Sequence, residues 1–219
     1  MTKRVGVLLA GSGYLDGSEI QEATLALYFL DKAGATVVNM APNKAQADLV
    51  DHQTATPAEG SRNVLTESAR IARGDVRDVA HVDADELDAL VIPGGFGAAK
   101  NLCTFASDGP DCTVDPGVER LIRAMHAANK PIGALCIAPA LVAKLLGAEH
   151  QVTVTIGNDD GTAEALRAMG AQHENRDVED IVVDETNRVV STPCYMLGQG
   201  PAAVGAGIEK LIAQLMTWA

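Results

Sequence analysis

The chain has 219 residues, a length at which an α/β fold commonly forms one domain, and 47% of them are hydrophobic while only 3% are aromatic. Its core must therefore be filled by Ala, Val, Leu and Ile, which suits a buried parallel sheet covered by helices. The formal net charge of −12 and the lack of any basic cluster along the sequence exclude nucleic acid as a partner.

The first half of the chain alternates short apolar runs with helical patterns, which is typical of an α/β fold. The expected elements are a buried strand at residues 5–10, a helix from the N-cap Ser18, with Gln21 as its capping-box partner, to Gly34, a strand at 36–41, a polar irregular stretch at 42–60 and a helix at 63–73. The 42–60 stretch predicts an insertion or a lid.

The second half continues this alternation and is expected to complete the sheet. Strands are predicted at 89–93, 131–135 and 152–156 and as a hairpin at 181–183 and 189–192, and helices at 96–102, 118–128, 137–146, 163–169 and 202–216. A mostly parallel sheet with helices on both faces follows, and ligands of such sheets sit beyond the carboxyl ends of the strands. We expect residues 1–219 to form a single domain.

The cellular location is predicted from the N-terminal sequence and the cysteines. The apolar run at residues 5–10 is too short for a signal-peptide core or a membrane span, so we expect a cytoplasmic protein with no membrane partner. The four cysteines are widely spaced and form no C-x-x-C pair. This spacing argues against a zinc site and against a disulfide framework.

One cysteine, Cys136, follows a predicted buried strand that turns abruptly into a helix. Pro139 is tolerated there because it falls in the first helical turn. A helix N-terminus stabilises a thiolate, so the pKa of Cys136 is expected to be depressed, and strain at such a turn holds Sγ towards the cleft. Amides at the helix start, together with Gly95, can bind an oxyanion. The alternative is an inert, buried cysteine that acts as a small hydrophobe.

Two glutamates of the first helix are candidates for the acid that assists this thiol. Glu22 lies next to Ala23, where a carboxylate is normally avoided, so it is either a buried protonated acid hydrogen-bonded to the thiolate or a solvated acid at the helix start. Glu19 either supports the chemistry or simply complements the helix dipole. The turns at 11–17, 94–95 and 135–137 follow three predicted strands, so they should meet at one edge of the sheet.

Three segments carry specific motifs: GSEIQE at residues 17–22, PGGFGAAKNL at 93–102 and LCIAPA at 135–140. Together they resemble the DJ/PfpI superfamily, which is class I glutamine amidotransferase-like, and in particular its ElbB-like branch of isoprenoid-biosynthesis-associated glyoxalases. The resemblance runs essentially from end to end of the chain. It implies a flavodoxin-like three-layer α/β sandwich with a nucleophile elbow, and a homodimer.

The same resemblance implies the site and its activity. Cys136 corresponds to the nucleophile, Glu22 to the partner acid, and the amides of Gly95, Cys136 and Ile137 to the oxyanion hole. The implied reaction is that of a glutathione-independent, cofactor-free lyase, which converts glyoxal or methylglyoxal to glycolate or lactate through a hemithioacetal on Cys136. Cys194, on a loop that approaches the site by resemblance, is either a resolving thiol or a buried, inert cysteine.

Two other functions remain open. A non-catalytic redox sensor or protein-protection factor would use the same activated cysteine. An amidase or peptidase is less favoured, because Ile137 replaces the histidine that follows the nucleophile in PfpI peptidases and because none of the five histidines, at 52, 81, 126, 150 and 173, adjoins a recognisable motif. Such an enzyme would need an imidazole from a partner subunit, with His81 or His126 as candidates. The 11–17 turn misses the G-x-G-x-x-G spacing by one position, which argues against a nucleotide cofactor.

Overall fold

The computed structural model describes residues 2–198 and 200–219. The strands are β1 (Arg4–Leu8), β2 (Thr36–Ala41), β3 (Val50–Asp51), β4 (Thr56–Pro57), β5 (Arg77–Asp78), β6 (Ala89–Ile92), β7 (Ile132–Leu135), β8 (Thr153–Val154), β9 (Gln172–His173), β10 (Val182–Asp184) and β11 (Val189–Thr192). The helices are α1 (Ile20–Lys32), α2 (Val64–Ile71), α3 (Phe96–Lys100), α4 (Phe105–Asp108), α5 (Pro116–Ala127), α6 (Pro139–His150), α7 (Asp160–Ala168) and α8 (Pro201–Trp218). Short 3₁₀ turns lie at Val79–His81, Ala84–Glu86, Gly109–Asp111 and Cys194–Met196.

The central sheet of the described residues has seven strands in the order β10-β11-β7-β6-β1-β2-β5. Strand β10 runs antiparallel to β11, and every other neighbouring pair is parallel. The five strands from β2 to β11 follow one another as 2-1-3-4-5 when they are numbered along the chain, which is the flavodoxin-like order. The flavodoxin-like α/β fold expected from the sequence is therefore confirmed.

Each face of this sheet carries its own apolar core, because side chains alternate between the two faces of a strand. Val5 and Val7 pack on one side with α1 and α8, and Leu8 packs on the other side with α5 and α6. In β6 the same alternation separates Val91 from Leu90. Burial on both faces explains why these strands are continuously apolar in the sequence.

The start of α1 differs from the prediction. Glu19, and not Ser18, is the N-cap, and its carboxylate accepts a hydrogen bond from the N–H of Glu22 at 2.6 Å. The predicted capping box of Ser18 and Gln21 is therefore wrong. The hydroxyl of Ser18 is buried and accepts a hydrogen bond from the N–H of Ala10 at 2.8 Å, so it fastens the helix start to the end of β1.

The strand predicted at 152–156 does not join the central sheet. Its core, β8, pairs in parallel with β9 in a separate two-stranded sheet. Side chains of the last two strands occupy its N–H groups, since Thr153 N donates to Asp184 Oδ2 at 2.8 Å and Thr155 N donates to Ser191 Oγ at 2.9 Å. A ladder with the central sheet is replaced by these side-chain bonds.

The irregular 42–60 stretch contains the two-residue strands β3 and β4, which pair with each other. It is tied to the turn after β1, because Val50 N donates to Asp16 Oδ2 at 2.9 Å and Gln46 Nε2 donates to the carbonyl of Asp16 at 3.2 Å. The stretch therefore packs beside the end of β1. None of the described helices is both long and apolar enough to cross a bilayer.

Candidate active site

Four strand ends meet at the carboxyl edge of the sheet. Strands β11, β7, β6 and β1 are neighbours, and the chain leaves them at Cys194, Cys136, Gly94 and the turn at residues 11–17. Because the strands are parallel, all four exits lie on the same side. The three turns predicted to meet do so, and the turn after β11 joins them.

Cys136 lies on a sharp turn between β7 and α6. Its φ angle is +58°, in the left-handed region that residues with a Cβ rarely adopt. The preceding sheet bond and the following helix hold it there: Cys136 N donates to the carbonyl of Thr192 at 2.9 Å, and Pro139 begins α6. The residue is only 7% exposed, so the strained turn holds a nearly buried thiol.

Glu22 lies beside this thiol and is completely buried. Its carboxyl oxygens accept hydrogen bonds from the N–H of Gly94 at 2.9 Å and from the N–H of Tyr195 at 3.2 Å, and the side chain is a hydrogen-bonding partner of Cys136. Burial, reinforced by the nearby charge of Glu19, raises the pKa of Glu22 to about 8. The carboxyl group therefore carries a proton at neutral pH.

The prediction of a depressed thiol pKa is wrong for the free protein. Burial raises the pKa of Cys136 well above its ordinary value, and the charge of an ionised Glu22 raises it further. The backbone N–H groups of Gly95 and Ile137 lower the pKa of the thiol but do not outweigh its burial. An ionised Glu22 therefore opposes the thiolate, so the two groups titrate as a coupled pair.

The oxyanion donors differ in part from those implied by the sequence resemblance. The N–H groups of Gly95 and Ile137 are directed at the sulfur, and neither donates to another backbone or side-chain acceptor among residues 2–198 and 200–219. The N–H of Cys136 is already bound to Thr192, because it completes the ladder between β7 and β11. We therefore remove the amide of Cys136 from the predicted oxyanion hole.

Sequence reasoning missed the role of Gly94. A Cβ atom at this residue would lie 2.3 Å from Cys136 Cβ, 2.9 Å from Cys136 Sγ and 2.7 Å from Glu22 Oε2. Gly94 thus lets the acid and the thiol meet over its backbone. Its neighbour Gly95 has φ +90°, and a Cβ there would lie 2.4 Å from Glu19 N, so both glycines of the motif are required for different reasons.

Gly94→Ala is expected to lower turnover at this site by at least about a hundredfold, since the new methyl group must push Cys136 away from Glu22. Steady-state kinetics of the folded variant check this expectation. Gly161→Ala, in α7, is the matched control, because a Cβ added there would lie 3.7 Å from its nearest neighbour, Asp159 Oδ1. Retained activity in Gly94→Ala would contradict this close packing of Cys136 and Glu22 over Gly94.

Cys194 and Glu19 flank the pair. Cys194 is fully buried with φ +47°, burial raises the pKa of its thiol well above the ordinary value, and the N–H of Cys136 interacts with its sulfur. It is a free cysteine beside the nucleophile, and its role as a resolving thiol stays a prediction. Glu19 borders the cavity, and burial raises the pKa of its carboxyl group. Glu19 therefore acts as helix cap and as an electrostatic neighbour of Glu22.

The thiol opens into a cavity of about 470 Å³. Most of the lining side chains are apolar or aromatic, and the lining residues are Tyr14, Glu19, Gly95, Phe96, Ala99, Phe105, Ala106, Cys136, Ile137, Thr162, Tyr195 and Met196. Among residues 2–198 and 200–219, no lysine, arginine or histidine lines this cavity. No group of three or more His, Cys, Asp and Glu side chains in the described chain has the arrangement of a metal site.

No histidine of the described residues lines the cavity, but His52 contacts the turn after β1 that borders it. His52 packs against the turn after β1, with its ring 5.4 Å from that of Tyr14 and its Nε2 accepting from Leu15 N at 3.3 Å. The ring of His126 lies 4.3 Å from that of His150. His173 Nε2 accepts a hydrogen bond from the N–H of Ile156 at 3.1 Å, and His173 does not line the cavity of Cys136.

Comparisons with known proteins agree with the fold and the motifs. The chain is 46% identical to human "Glutamine amidotransferase-like class 1 domain-containing protein 3, mitochondrial", over 97% of this chain and 82% of that protein. It is 44% identical to the rat "ES1 protein homolog, mitochondrial", over 97% of this chain and 83% of that protein.

Solved structures are similar as well. A crystal structure of an isoprenoid biosynthesis protein with amidotransferase-like domain from Ehrlichia chaffeensis superposes with a TM-score of 0.94 at 39% identity and covers 99% of each chain. A DJ-1 superfamily protein from Salmonella typhimurium, 21% identical, shares the fold with a TM-score of 0.59 over 99% of this chain and 91% of its own. The model of the DJ-1/PfpI family matches residues 4–194. With the elbow cysteine, the flavodoxin-like sheet and these matches in agreement, the chain belongs to the DJ-1/PfpI family.

Proposed function

We propose that this protein is a glyoxalase of the lyase class, which converts glyoxal or methylglyoxal to glycolate or lactate without glutathione and without a cofactor. One observation carries the proposal: a fully buried carboxyl group, Glu22, touches the thiol of Cys136 and holds a proton at neutral pH. An isomerisation between adjacent carbons needs a nucleophile and a proton carrier side by side. Cys136, which lines the cavity, and Glu22 directly behind it are such a pair.

The reaction begins with the pair in its singly protonated form. The Cys136 thiolate adds to the aldehyde carbon, and the alkoxide oxygen takes the proton of Glu22, which gives a neutral hemithioacetal beside a carboxylate. The carboxylate then removes the hydrogen of the former aldehyde carbon and returns it to the neighbouring carbon through an enediol. A thioester of the 2-hydroxy acid results, and no electron leaves the substrate.

Water hydrolyses the thioester and restores the free pair. The N–H groups of Gly95 and Ile137 stabilise the negative oxygen formed when sulfur adds to the aldehyde and when water adds to the thioester. Such donors contribute about 3 kcal/mol each to transition-state stabilisation. The cofactor-free character of the proposal follows from this chemistry, because each step is the addition or departure of sulfur, the addition of water, or a proton transfer.

The test is incubation of the purified protein with glyoxal or methylglyoxal in the absence of glutathione. We expect one glycolate or lactate for each aldehyde molecule consumed, over many turnovers, with the product identified by chromatography or NMR. A folded protein whose Cys136 reacts with thiol reagents but which forms no hydroxy acid would refute the proposal. That outcome would favour the second candidate, a non-catalytic redox sensor or protein-protection factor, which the proximity of the Cys194 sulfur to Cys136 supports.

An amidase or peptidase remains less favoured. The names of the human relative and of the Ehrlichia structure contain "amidotransferase-like", but the cavity residues that the structure describes include no imidazole. A partner subunit would have to supply one. Substitution of His81 or His126 would then abolish activity, whereas the glyoxalase proposal expects both variants to remain active.

The pH dependence of turnover tests the proton carrier. Since the active pair has lost one proton, kcat/KM for methylglyoxal is expected to rise with pH and to level off above about 8, where Glu22 titrates. Glu19→Gln removes a charge that raises the pKa of Glu22, so it should move the inflection to lower pH. A pH–rate profile of parent and variant measures the shift. An unmoved inflection would contradict the electrostatic role of Glu19.

Other expectations accompany this function. We propose a homodimer that takes a small aldehyde as its substrate, with neither nucleic acid nor membrane as a partner, and we propose that residues 1–219 are one domain. We also retain cytoplasmic location as a proposal, although the human and rat relatives are named as mitochondrial proteins. Fractionation of the source cells tests the location, and sedimentation tests the dimer.

A further inference from the structure

The aromatic residues of this chain are concentrated around its reactive thiol. The sequence has three Phe, three Tyr and one Trp, and two of the Phe and two of the Tyr line the cavity of Cys136. In a protein with 3% aromatic residues, such side chains are not needed to fill the sheet core. Their gathering at one cavity indicates a surface for a flat or bulky apolar ligand.

Two of these aromatic side chains are held out towards solvent at the cavity. Tyr14 and Phe96 are each 48% exposed, and Phe105 adds a third ring from α4. Phe96 is positioned by the N–H of its own backbone, which donates to the carbonyl of Tyr14 at 2.7 Å. This hydrogen bond joins the turn that carries Tyr14 to the start of α3, so the two exposed rings lie on adjoining segments of the chain.

The size of the cavity points the same way. About 470 Å³ lies within the range of roughly 300–1,000 Å³ that is typical of sites for drug-sized ligands. Methylglyoxal has one methyl group beyond its two carbonyl carbons, so it would leave most of this volume to water and most of the aromatic wall without contact. A larger apolar substituent would fill the space and gain the free energy of burial.

The charge of the cavity limits the ligand further. Glu19 and Glu22 border the thiol, and among the residues that the structure describes no cationic side chain lines the cavity. The ammonium group of Lys100 lies 5.1 Å from the ring centroid of Phe96 but is bound to Asp48 at 2.8 Å. Anionic substituents on the substrate are therefore disfavoured, and uncharged ones are accepted.

We infer that the preferred substrates are uncharged 2-oxoaldehydes with a bulky apolar or aromatic substituent, which packs between Tyr14, Phe96 and Phe105 while the aldehyde carbon lies at Cys136. This inference rests on the proposed glyoxalase function and names its substrate class. The chemistry at the reacting carbons is unchanged: sulfur adds to the aldehyde, the neighbouring ketone is reduced and the aldehyde carbon is oxidised to the acid.

The test compares kcat/KM for phenylglyoxal and cyclohexylglyoxal with that for methylglyoxal, without glutathione. Both larger substrates are expected to exceed methylglyoxal by about tenfold or more, as burial of a ring predicts. The phenyl and cyclohexyl rings differ in electronic character, so a higher kcat/KM for both substrates would reflect packing of the ring in the cavity. Equal or lower values for both larger substrates, with methylglyoxal turned over, would overturn the inference and leave the proposed function intact.

Variants of the aromatic residues test which side chains cause the preference for larger substrates. Phe105→Ala should reduce the ratio of kcat/KM for phenylglyoxal over methylglyoxal by about tenfold, and Phe96→Ala, whose side chain is half exposed and outside the core, gives the same reading if the first variant folds poorly. Tyr28→Ala is the matched control, because Tyr28 is 57% exposed on α1 and does not line the cavity. An unchanged ratio in both phenylalanine variants would also overturn the inference.

A second measurement separates this inference from the proposed function. Alkylation of Cys136 by N-benzyliodoacetamide and by iodoacetamide is followed by intact mass, with each rate divided by that of free cysteine. We expect the benzyl reagent to be favoured about fivefold or more in the parent and not in Phe96→Ala. If this preference holds while no oxoaldehyde is turned over, the proposed function fails and the apolar cavity stands; if it is absent, the inference fails.

Discussion

Cys136→Ser is expected to abolish the glutathione-free formation of lactate from methylglyoxal, with a loss of at least about a thousandfold in kcat/KM. The covalent intermediate requires a sulfur nucleophile, and a serine hydroxyl, whose pKa is far higher, cannot be ionised by a neighbouring carboxyl group whose pKa is about 8. Lactate is measured by chromatography at several protein concentrations. Substantial lactate from the folded serine variant would exclude the covalent route.

Glu22→Gln separates the acid from the nucleophile. The amide keeps the shape of the side chain but carries no proton between carbons, so turnover is expected to fall by about a hundredfold to ten-thousandfold while Cys136 can still be alkylated. Two matched controls have the same residue types in buried places outside the cavity: Cys112→Ser and Glu67→Gln. Both controls should retain the activity of the parent. Full activity in Glu22→Gln would require another proton carrier.

The sequence permits the sheet and the nucleophile to be located because their signals are local. Apolar runs that are buried on both faces identify β1, β6 and β7, and a cysteine between such a run and a helix whose first residue is Pro139 indicates the elbow. The family resemblance identified from three motifs is confirmed by the family model over residues 4–194. Short-range patterns thus determine most of the architecture.

The failures of sequence reasoning have a common cause, which is contact between residues distant in the chain. The strand expected at 152–156 leaves the sheet because Asp184 and Ser191 take its N–H groups. The amide of Cys136 is unavailable because it pairs with Thr192. Sequence spacing reports neither bond. Likewise the helix N-terminus suggested a depressed pKa for the Cys136 thiol, whereas burial beside Glu22 raises that pKa.

For one contact between distant residues the sequence did contain a signal. Two consecutive glycines, Gly94 and Gly95, follow the apolar run of β6, and a tight turn needs only one residue of positive φ. The second supplies that φ angle, which leaves the first without a conformational reason. Close approach of other atoms is the remaining explanation for a glycine, and the atoms are those of Cys136 and Glu22. Paired glycines at a strand end therefore merit inspection as part of a site.

The stability of the protein is expected to decrease as pH rises from 5 to 8 because of Glu22. Its pKa is about 8 in the folded state against 4.5 ordinarily, so in this window the native protein holds one proton that the unfolded chain has released. The free energy of unfolding then falls by about 1.4 kcal/mol per pH unit from this group. At pH 7 the free energy of unfolding is therefore about 3 kcal/mol lower than at pH 4.5 because of this group.

Glu22→Gln should remove this decrease of the free energy of unfolding with pH. Urea unfolding of parent and variant at pH 5, 6.5 and 8 measures the effect. The variant has a constant cost, because its amide nitrogen must face the N–H of either Gly94 or Tyr195, which costs about 1–3 kcal/mol. The variant is therefore expected to be less stable than the parent at pH 5 and to approach or exceed it at pH 8.

Glu86→Gln is the control, because the pKa of Glu86 is shifted in the opposite direction to that of Glu22. Hydrogen bonds from Arg77 lower the pKa of Glu86 to about 2, so this carboxylate is ionised in both the folded and the unfolded state above pH 5, and its loss changes stability equally at all three pH values. If the difference between the parent and Glu22→Gln is also independent of pH, Glu22 is ionised in the folded protein. The pKa of about 8 would then be refuted, and with it the expected inflection of the pH–rate profile near pH 8.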